Sequence, residues 1–167
     1  MFTWTPDMIR FMHAANETGT YHQQLADILA PKLTGCRTLC DAGCGLGALS
    51  AALSSRFDAI TAADVSDDAL DVLRQTILAR GLTNITPLHC DLLSDALTEP
   101  YDGMIFCFFG SLEEILPVAR RQCRKTLIII KKKLRPAPLF PDRAAPARRD
   151  GAGRMRNAPR SGRPVLV

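Results

Sequence analysis

No part of this sequence limits the possible folds as strongly as residues 39–49, which read LCDAGCGLGAL. An apolar segment ends at Asp41, glycine follows at positions 43, 45 and 47, and a helical pattern then begins. Glycine adopts left-handed backbone conformations and lets another molecule approach the chain closely, because it has no Cβ atom. A helix N-terminus adds free N–H groups and a partial positive charge. The run therefore predicts the turn after the first strand of an α/β sheet, where such folds bind nucleotide-like ligands.

Strand and helix patterns alternate along the chain up to about residue 130. Strands are predicted at residues 37–40, 59–63, 84–88, 102–108 and 127–130. Helices are predicted at residues 6–15, 20–29, 48–56, 67–80 and 112–123. This alternation is typical of a parallel, doubly wound sheet with right-handed crossovers. We therefore expect an α/β, Rossmann-like fold with strand order 3-2-1-4-5 and a ligand site between strands 1 and 4.

Residues with known capping preferences mark the ends of two predicted helices. Ser66 precedes the helix at 67–80 as an N-cap, and Gly81 follows it as a residue suited to a left-handed C-terminal turn. Ser111 and Glu114 have the spacing of a capping box. These signals set the boundaries of both helices.

Acidic and aromatic segments follow the glycine run at the ends of the later strands. Asp64 stands at the tip of the second predicted strand, Cys90 and Asp91 follow the third, and residues 101–110 contain the fourth. Together with Asp41 and the three glycines, they resemble the class I S-adenosylmethionine-dependent methyltransferases, in the family's order and spacing. The resemblance covers about residues 1–131. It implies a transferase that uses S-adenosyl-L-methionine as its cofactor.

The resemblance assigns the glycine run to the methionine part of the cofactor. Gly43, Cys44, Gly45 and Gly47 would wrap this part of the molecule. Asp41 would hold the cofactor's ammonium group, directly or through water, by a charge-assisted hydrogen bond.

The same resemblance assigns the nucleoside part of the cofactor to the later strand ends. Asp64 would accept hydrogen bonds from both ribose hydroxyls, and Val65 would lie against the adenine ring. Asp91 would accept from the adenine amino group, with Cys90 beside the ring. Phe106, in the fourth strand, completes the predicted cofactor-binding set, although packing in the core is the favoured alternative for this residue.

The methyl acceptor is expected at the end of the fourth strand, beneath an N-terminal helical lid formed by residues 1–33. Phe108, Phe109 and Tyr21 are the predicted substrate-facing residues. Family members that methylate amino groups of DNA, RNA or glutamine carry an Asn/Asp-Pro-Pro-aromatic tetrapeptide here, and this chain lacks it. We therefore expect an acceptor of another kind, with a small molecule favoured. The reaction would be direct displacement, with no catalytic base assigned.

Two other functions remain open at this stage. Gly43-x-Gly45-x-x-Ala48 also fits the dinucleotide fingerprint, with Asp64 in the ribose position, which would indicate an NAD(P)-binding oxidoreductase. Alternatively, the chain is a truncated cofactor-binding protein without catalytic activity, because the family's usual sixth and seventh strands have no counterpart in the pattern.

Charge is divided unequally between two parts of the chain. Residues 1–130 carry 10 basic and 15 acidic residues, whereas residues 131–167 carry 11 basic and 2 acidic ones. An acidic body argues against a nucleic-acid-binding face within the fold. No apolar run is long enough to span a membrane and no export signal is present, so we expect a cytoplasmic protein. Cys36, Cys40 and Cys44 have a spacing that could suit a metal, but Cys40 lies in a predicted buried strand, Cys44 lies in the glycine loop and no Cys-x-x-Cys motif is present, so no metal site is predicted.

The chain changes composition after a run of three lysines at positions 131–133. Residues 1–131 form the predicted cofactor-binding domain. Residues 132–167 are rich in proline, alanine and arginine, and are expected to be a disordered tail. One hypothesis for the abrupt change is a frameshift that replaces the native C-terminus.

Overall fold

The computed structural model describes residues 3–95 and 99–132. These residues form five α-helices: Pro6–Thr18 (α1), Tyr21–Leu29 (α2), Ala48–Leu53 (α3), Asp67–Arg80 (α4) and Leu112–Gln122 (α5). The same residues form five strands: Thr38–Ala42 (β1), Ala59–Asp64 (β2), Ile85–His89 (β3), Tyr101–Cys107 (β4) and Cys123–Ile130 (β5). The tail predicted from residue 132 lies, from residue 133 onward, outside the described residues.

All five strands are parallel and form one sheet in the order β3-β2-β1-β4-β5, which confirms the predicted topology. At the carboxyl end of β1, Ala42 lies opposite Ala63 of β2 and Phe106 of β4. The loops that follow β1 and β4 therefore leave the sheet side by side. In sheets of this kind the ligand crevice lies where the strand order reverses, which here is between β1 and β4.

The core lies on both faces of the sheet, because successive side chains of a strand point to opposite faces. Leu39 and Ile105 pack on the face covered by α2, α3 and α4. Cys40 and Met104, their neighbours in sequence, pack on the other face with Ile115 of α5. All four strand residues are fully buried, as expected for central parallel strands covered on both sides.

The predicted helix boundaries at the capping residues are confirmed. The Ser66 hydroxyl accepts a hydrogen bond from the Ala69 N–H (3.3 Å), and Gly81 has a φ of 62° after the end of α4. Ser111 and Glu114 form a reciprocal capping box at the start of α5. Each contact satisfies backbone groups that have no partner within the helix.

Three elements differ from their predictions by three or more residues at one end. Helix α1 continues to Thr18, and the last turn of the helix predicted at 48–56 is a 3₁₀ turn, Ser54–Arg56. Strand β5 begins at Cys123, four residues before its apolar run, because Cys123 pairs with Tyr101 of β4 ahead of a register shift that contains Arg124 and Lys125. No helix formed by residues 3–95 and 99–132 is long and apolar enough to cross a membrane.

Candidate functional site

A cavity of about 740 Å³ opens at the carboxyl end of the sheet. Its floor is formed by the loop after β1, and its sides by the ends of β2, β3 and β4. Residues of α1 and α2 contribute to the remaining wall. The volume lies in the range of small-molecule sites. The cavity occupies the position at which the topology predicted a ligand crevice.

The loop after β1 is held in place by hydrogen bonds to β2. Gly43, Gly45 and Gly47 have φ values of 68°, 54° and 71°, in the region that favours glycine. The N–H groups of Gly43 and Cys44 both donate to the Ala63 carbonyl, at 2.9 and 3.0 Å. These two donors are thus used by the sheet itself, and they fix the path of the loop along the cavity floor.

Side chains pack closely against all three glycines. A Cβ atom added to Gly43 would lie 2.6 Å from the Phe109 ring, and one added to Gly45 would lie 2.8 Å from the Trp4 ring. Both glycines line the cavity, and both aromatic rings lie over them.

Gly47, in contrast, does not line the cavity. A Cβ atom at this position would lie 2.4 Å from Leu73 of α4. The missing side chain of Gly47 therefore allows α3 and α4 to pack closely. A contact of Gly47 with the cofactor stays a prediction.

Asp41 is the most buried acidic group of the site. It is 1% exposed and lines the cavity floor, and its carboxylate accepts a hydrogen bond of 2.6 Å from the Ser50 hydroxyl of α3. Burial raises the pKa of Asp41 to about 6; the Ser50 hydrogen bond opposes this rise and the charge of Asp64 adds to it. A carboxylate in such a place is stabilised by a cation that enters the cavity.

Asp64 ends β2, is 9% exposed and lines the cavity beside Asp41. One carboxylate oxygen accepts from the Gly45 N–H at 2.8 Å, and the other accepts from the Ser66 N–H at 3.0 Å. These bonds orient the carboxylate. Since each carboxylate oxygen has two lone pairs, both oxygens can accept one further hydrogen bond from a ligand.

The loop after β3 supplies Cys90 and Asp91 to the cavity, and Val65 lines it from the end of β2. The Asp91 carboxylate accepts from the Leu93 N–H (3.1 Å) and the Ser94 hydroxyl (2.9 Å), so it also holds the following turn together. This part of the wall therefore combines an apolar side chain, a thiol and an acid.

The end of β4 places Cys107, Phe108 and Phe109 in the cavity wall, but not Phe106. Phe106 is fully buried in the core on the α5 side of the sheet. Its ring stacks on that of Phe109, with centroids 6.1 Å apart. Its position in β4 directs the ring into the core, where it supports Phe109, as the core alternative expects. A contact of Phe106 with the cofactor stays a prediction.

The helical segment at 3–29 supplies Trp4, Met12, Asn16, Tyr21 and His22 to the wall. No residue of α1 is buried, and the contact of Glu17 with Arg80 of α4 (3.0 Å) links this helix to the body. The rings of Tyr21 and His22 meet edge to face, 5.1 Å apart. Burial lowers the pKa of His22, which keeps its imidazole neutral at pH 7. Part of the predicted lid region therefore borders the site.

Sequence reasoning missed several lining residues, among them Met12, Asn16, Leu46 and Glu114. Met12 and Asn16 lie one turn apart on α1, so the sequence shows that they share a face of the helix. The sequence does not show that this face lines the cavity. Glu114 was recognised only as a capping residue. The signal that could have found it is its place in the first turn after the β4 loop, at the carboxyl end of the sheet.

Three of the cysteines, Cys44, Cys90 and Cys107, line the cavity as free thiols. Burial raises the pKa of all three, to about 11 for Cys90 and Cys107, so the thiols are protonated at neutral pH. Within the described part of the chain, no group of three or more His, Cys, Asp or Glu residues is placed to hold a metal ion.

A family model described as a methyltransferase domain matches residues 39–136, more than half of the chain. The match includes the glycine loop and every strand of the sheet. The chain belongs to the class I S-adenosylmethionine-dependent methyltransferase family. The resemblance seen in the sequence is thereby confirmed, and the oxidoreductase alternative is not favoured.

Solved structures of methyltransferases share the fold. A proposed S-adenosyl-L-methionine-dependent methyltransferase from Methanococcus maripaludis matches with a TM-score of 0.65 and 19% identity, over 77% of this chain and 67% of its own. Coclaurine N-methyltransferase, bound to N-methylheliamine and S-adenosylhomocysteine, matches with a TM-score of 0.54 and 20% identity, over 62% and 37%. An rRNA methylase from Streptococcus thermophilus matches with a TM-score of 0.50 and 25% identity, over 59% and 62%.

These likenesses establish the fold and not the acceptor. The chain spans 37% to 67% of the length of these three proteins. A search of curated proteins found no match to the sequence.

Proposed function

We propose that this chain binds S-adenosylmethionine in the cavity and transfers its methyl group to a small-molecule acceptor by direct displacement. The observation that carries the proposal is the buried Asp41 carboxylate on the cavity floor, beside the glycine loop and Asp64. When bound, S-adenosylmethionine supplies a methyl group already activated by attachment to a positively charged sulfur. The protein's own part is to bind, orient and shield the reactants.

Asp41 fits the ammonium group of the cofactor. Its burial makes the free carboxylate unfavourable, and an ammonium group removes that cost by pairing with it. Ser50 orients the carboxylate from below, and the cavity lies on its open side. Gly43, Cys44 and Gly45 would then enclose the methionine part.

Asp64 fits a ribose that carries two hydroxyl donors. Both of its oxygens are already oriented by backbone N–H groups and retain lone pairs for the ligand. Val65 and Cys90 supply the apolar surface expected beside an adenine ring, and Asp91 supplies an acceptor for its amino group. The proposed nucleoside subsite thus contains acceptors for the ribose hydroxyls and for the adenine amino group.

The aromatic rings of the wall suit the region around the sulfonium. Trp4, Tyr21 and Phe109 line the cavity, and aromatic faces attract cations and exclude water. Holding acceptor, methyl carbon and sulfur in line can lower the barrier by roughly 7–11 kcal/mol. A protein that works mainly by such alignment needs no dedicated base unless the acceptor must first lose a proton.

A small-molecule acceptor is favoured over a nucleic acid. Among the neighbours in fold, coclaurine N-methyltransferase is described with a small molecule, and another neighbour is an rRNA methylase. In this chain the cavity wall contains Asp41, Asp64, Asp91 and Glu114. Such a wall repels a phosphate backbone.

Thermal denaturation with added ligand tests the cofactor assignment. S-adenosylhomocysteine at ~100 times its dissociation constant should add ~2.7 kcal/mol to the free energy of unfolding. NAD at the same concentration should add nothing. Asp64→Asn should abolish the effect of S-adenosylhomocysteine, whereas Asp68→Asn, an exposed acid outside the cavity, should preserve it. Stabilisation by NAD instead would contradict the proposal.

A further inference from the structure

The charge of the cavity wall is one-sided. Four acidic side chains line it, and no lysine or arginine of residues 3–95 and 99–132 does so. Lys131 lies near this region, but its ammonium donates to the carbonyls of Phe109 (2.7 Å) and Gly110. The cofactor assignments above use three of the acids. Glu114 is left, on the side of the cavity formed by the loop after β4.

Glu114 is held in place as an ionised carboxylate. One of its oxygens accepts from the Ser111 N–H at 2.7 Å in the capping box. This hydrogen bond is the main cause that lowers the pKa of Glu114, and Lys131 lowers it further. The carboxylate therefore stays charged at neutral pH. It is exposed to the solvent that fills the cavity mouth.

Exposed apolar side chains surround the same mouth. Phe108, Tyr21 and Met12 are 56%, 53% and 40% exposed, and all three line the cavity. Large apolar surfaces left open to water beside a cavity mark a binding surface more often than an accident of packing. Two of the three are aromatic, which suits a flat or cationic ligand.

The backbone of Phe108 gives a second indication. Its φ of 57° lies in the left-handed region, which bulky residues rarely adopt. The Phe108 N–H donates to the Ile130 carbonyl at the end of β5 (2.9 Å). This hydrogen bond holds the backbone in that conformation where the chain leaves β4. Glycine would adopt it without strain. Strain that is kept at a site lining a cavity points to a use for the side chain.

We infer that the methyl acceptor is a small molecule with a flat apolar body and a positive charge, the body lying against Phe108 and Tyr21 and the charge lying towards Glu114. The inference rests on the proposed methyl-transfer function and adds the acceptor's chemical class. An acceptor that carries a carboxylate or phosphate would meet acidic side chains and no lysine or arginine among the described residues that line this wall.

Matched probes test this charge preference. The protein is first saturated with S-adenosylhomocysteine and then titrated with 2-phenylethylamine, a cation at neutral pH, or with 3-phenylpropionate, an anion. Trp4 is the single tryptophan of the chain and lines the cavity, so its fluorescence reports binding. We expect 2-phenylethylamine to bind at least about tenfold more tightly than the carboxylate, a difference that titration resolves.

Two pairs of variants assign the preference to residues. Glu114→Gln keeps the capping box, since glutamine serves equally at that position, and it should remove most of the preference. Glu113→Gln, an exposed neighbour that does not line the cavity, should leave it unchanged. Phe108→Gly relieves the backbone strain, so the variant should remain folded, and it removes the ring, so both probes should bind more weakly. Phe108→Leu keeps part of the apolar surface and should weaken the binding of both probes less.

The possible failures are distinguishable. If S-adenosylhomocysteine does not bind to the folded protein, the proposed function is wrong and this inference falls with it. If S-adenosylhomocysteine binds but the carboxylate probe binds as tightly as the amine, or neither probe binds, only the acceptor inference is overturned. A preference that persists in Glu114→Gln would overturn the role of that residue.

Discussion

The charge of Asp41 destabilises the free protein but is expected to strengthen cofactor binding. Its buried carboxylate costs the folded protein free energy, because burial raises the pKa of Asp41 from its usual acidic range to about 6. Asparagine keeps an acceptor for the Ser50 hydroxyl and removes the charge. We predict that Asp41→Asn raises the free energy of unfolding at pH 7 by about 2 kcal/mol, measured by urea denaturation. A less stable variant would show that the ionised carboxylate is already compensated without ligand.

The same carboxylate predicts a pH dependence of cofactor binding. The raised pKa means that Asp41 is protonated below about pH 6 in the free protein, and a protonated acid pairs poorly with an ammonium group. We expect the affinity for S-adenosylhomocysteine to fall by up to tenfold per pH unit below pH 6. Protonation of His22 in the same wall would act in the same direction at lower pH.

The contribution of Asp41 to the free energy of unfolding should change with pH in the direction opposite to that of cofactor affinity. Between about pH 4 and pH 6 the folded chain holds a proton on Asp41 that the unfolded chain has released. The contribution of Asp41 to stability therefore falls as pH rises through this window and is constant above it. Comparing wild type with Asp41→Asn at several pH values isolates this contribution from that of the other acids. Identical pH profiles would contradict it.

Single residues were predicted from the sequence with uneven success. Asp41, Asp64 and Asp91 all line the cavity because the ends of parallel strands meet at one edge, which topology alone implies. Phe106 had two possible assignments, cofactor contact or core, because a continuous apolar strand does not show which of its two faces a side chain occupies. Glu114 was missed because one carboxylate serves both as a helix cap and as part of the wall.

Among the turns that join strands and helices, two glycines with left-handed backbone conformations differ in the space around them. Gly47 has a φ of 71° and no space for a Cβ atom beside Leu73, whereas Gly81 has a φ of 62° and open space around it. We predict that Gly81→Ala costs roughly 1–2 kcal/mol from backbone strain alone. Gly47→Ala should cost about 2–5 kcal/mol, because overpacking between α3 and α4 is added to the strain. Equal losses in chemical denaturation would refute the packing role of Gly47.

The ends of helices were predictable where a local capping residue marks them, whereas the start of a strand was not predictable where it depends on pairing with a neighbouring strand. Ser66, Gly81 and Ser111 each marked a helix end correctly, since their hydrogen bonds or backbone conformations are local. The start of β5 was not predictable, because Arg124 and Lys125 resemble loop residues and lie at a register shift between the paired residues Cys123 and Thr126. Alternation predicted a parallel, doubly wound sheet, and the expected strand order 3-2-1-4-5 is confirmed.

At the scale of the whole molecule, stability and function are separated along the sheet. Asp102 lies at the end of the sheet opposite the cavity and ties three strands together. Its carboxylate accepts from the Arg37 N–H (2.8 Å) and from Lys125 (3.1 Å), and its own N–H donates to Thr38 (3.0 Å). The Arg37 bond, and then the Lys125 bond, lowers the pKa of Asp102.

We therefore predict that Asp102→Ala lowers the urea midpoint of unfolding without changing the affinity for S-adenosylhomocysteine. The stabilisation by Asp102 should also be lost as pH falls through its lowered pKa, since the folded chain then has to take up a proton that its hydrogen bonds oppose. A changed affinity in a folded variant would show that the two ends of the sheet are coupled.

Calorimetric titration of S-adenosylhomocysteine into the wild-type chain and into Asp41→Asn shows whether the cavity binds the cofactor through Asp41. We expect one site per chain in the wild type and binding at least about a hundredfold weaker in the variant, since a buried charge pair is lost. Equal affinity for both chains, or no binding by a folded wild-type chain, would contradict this expectation.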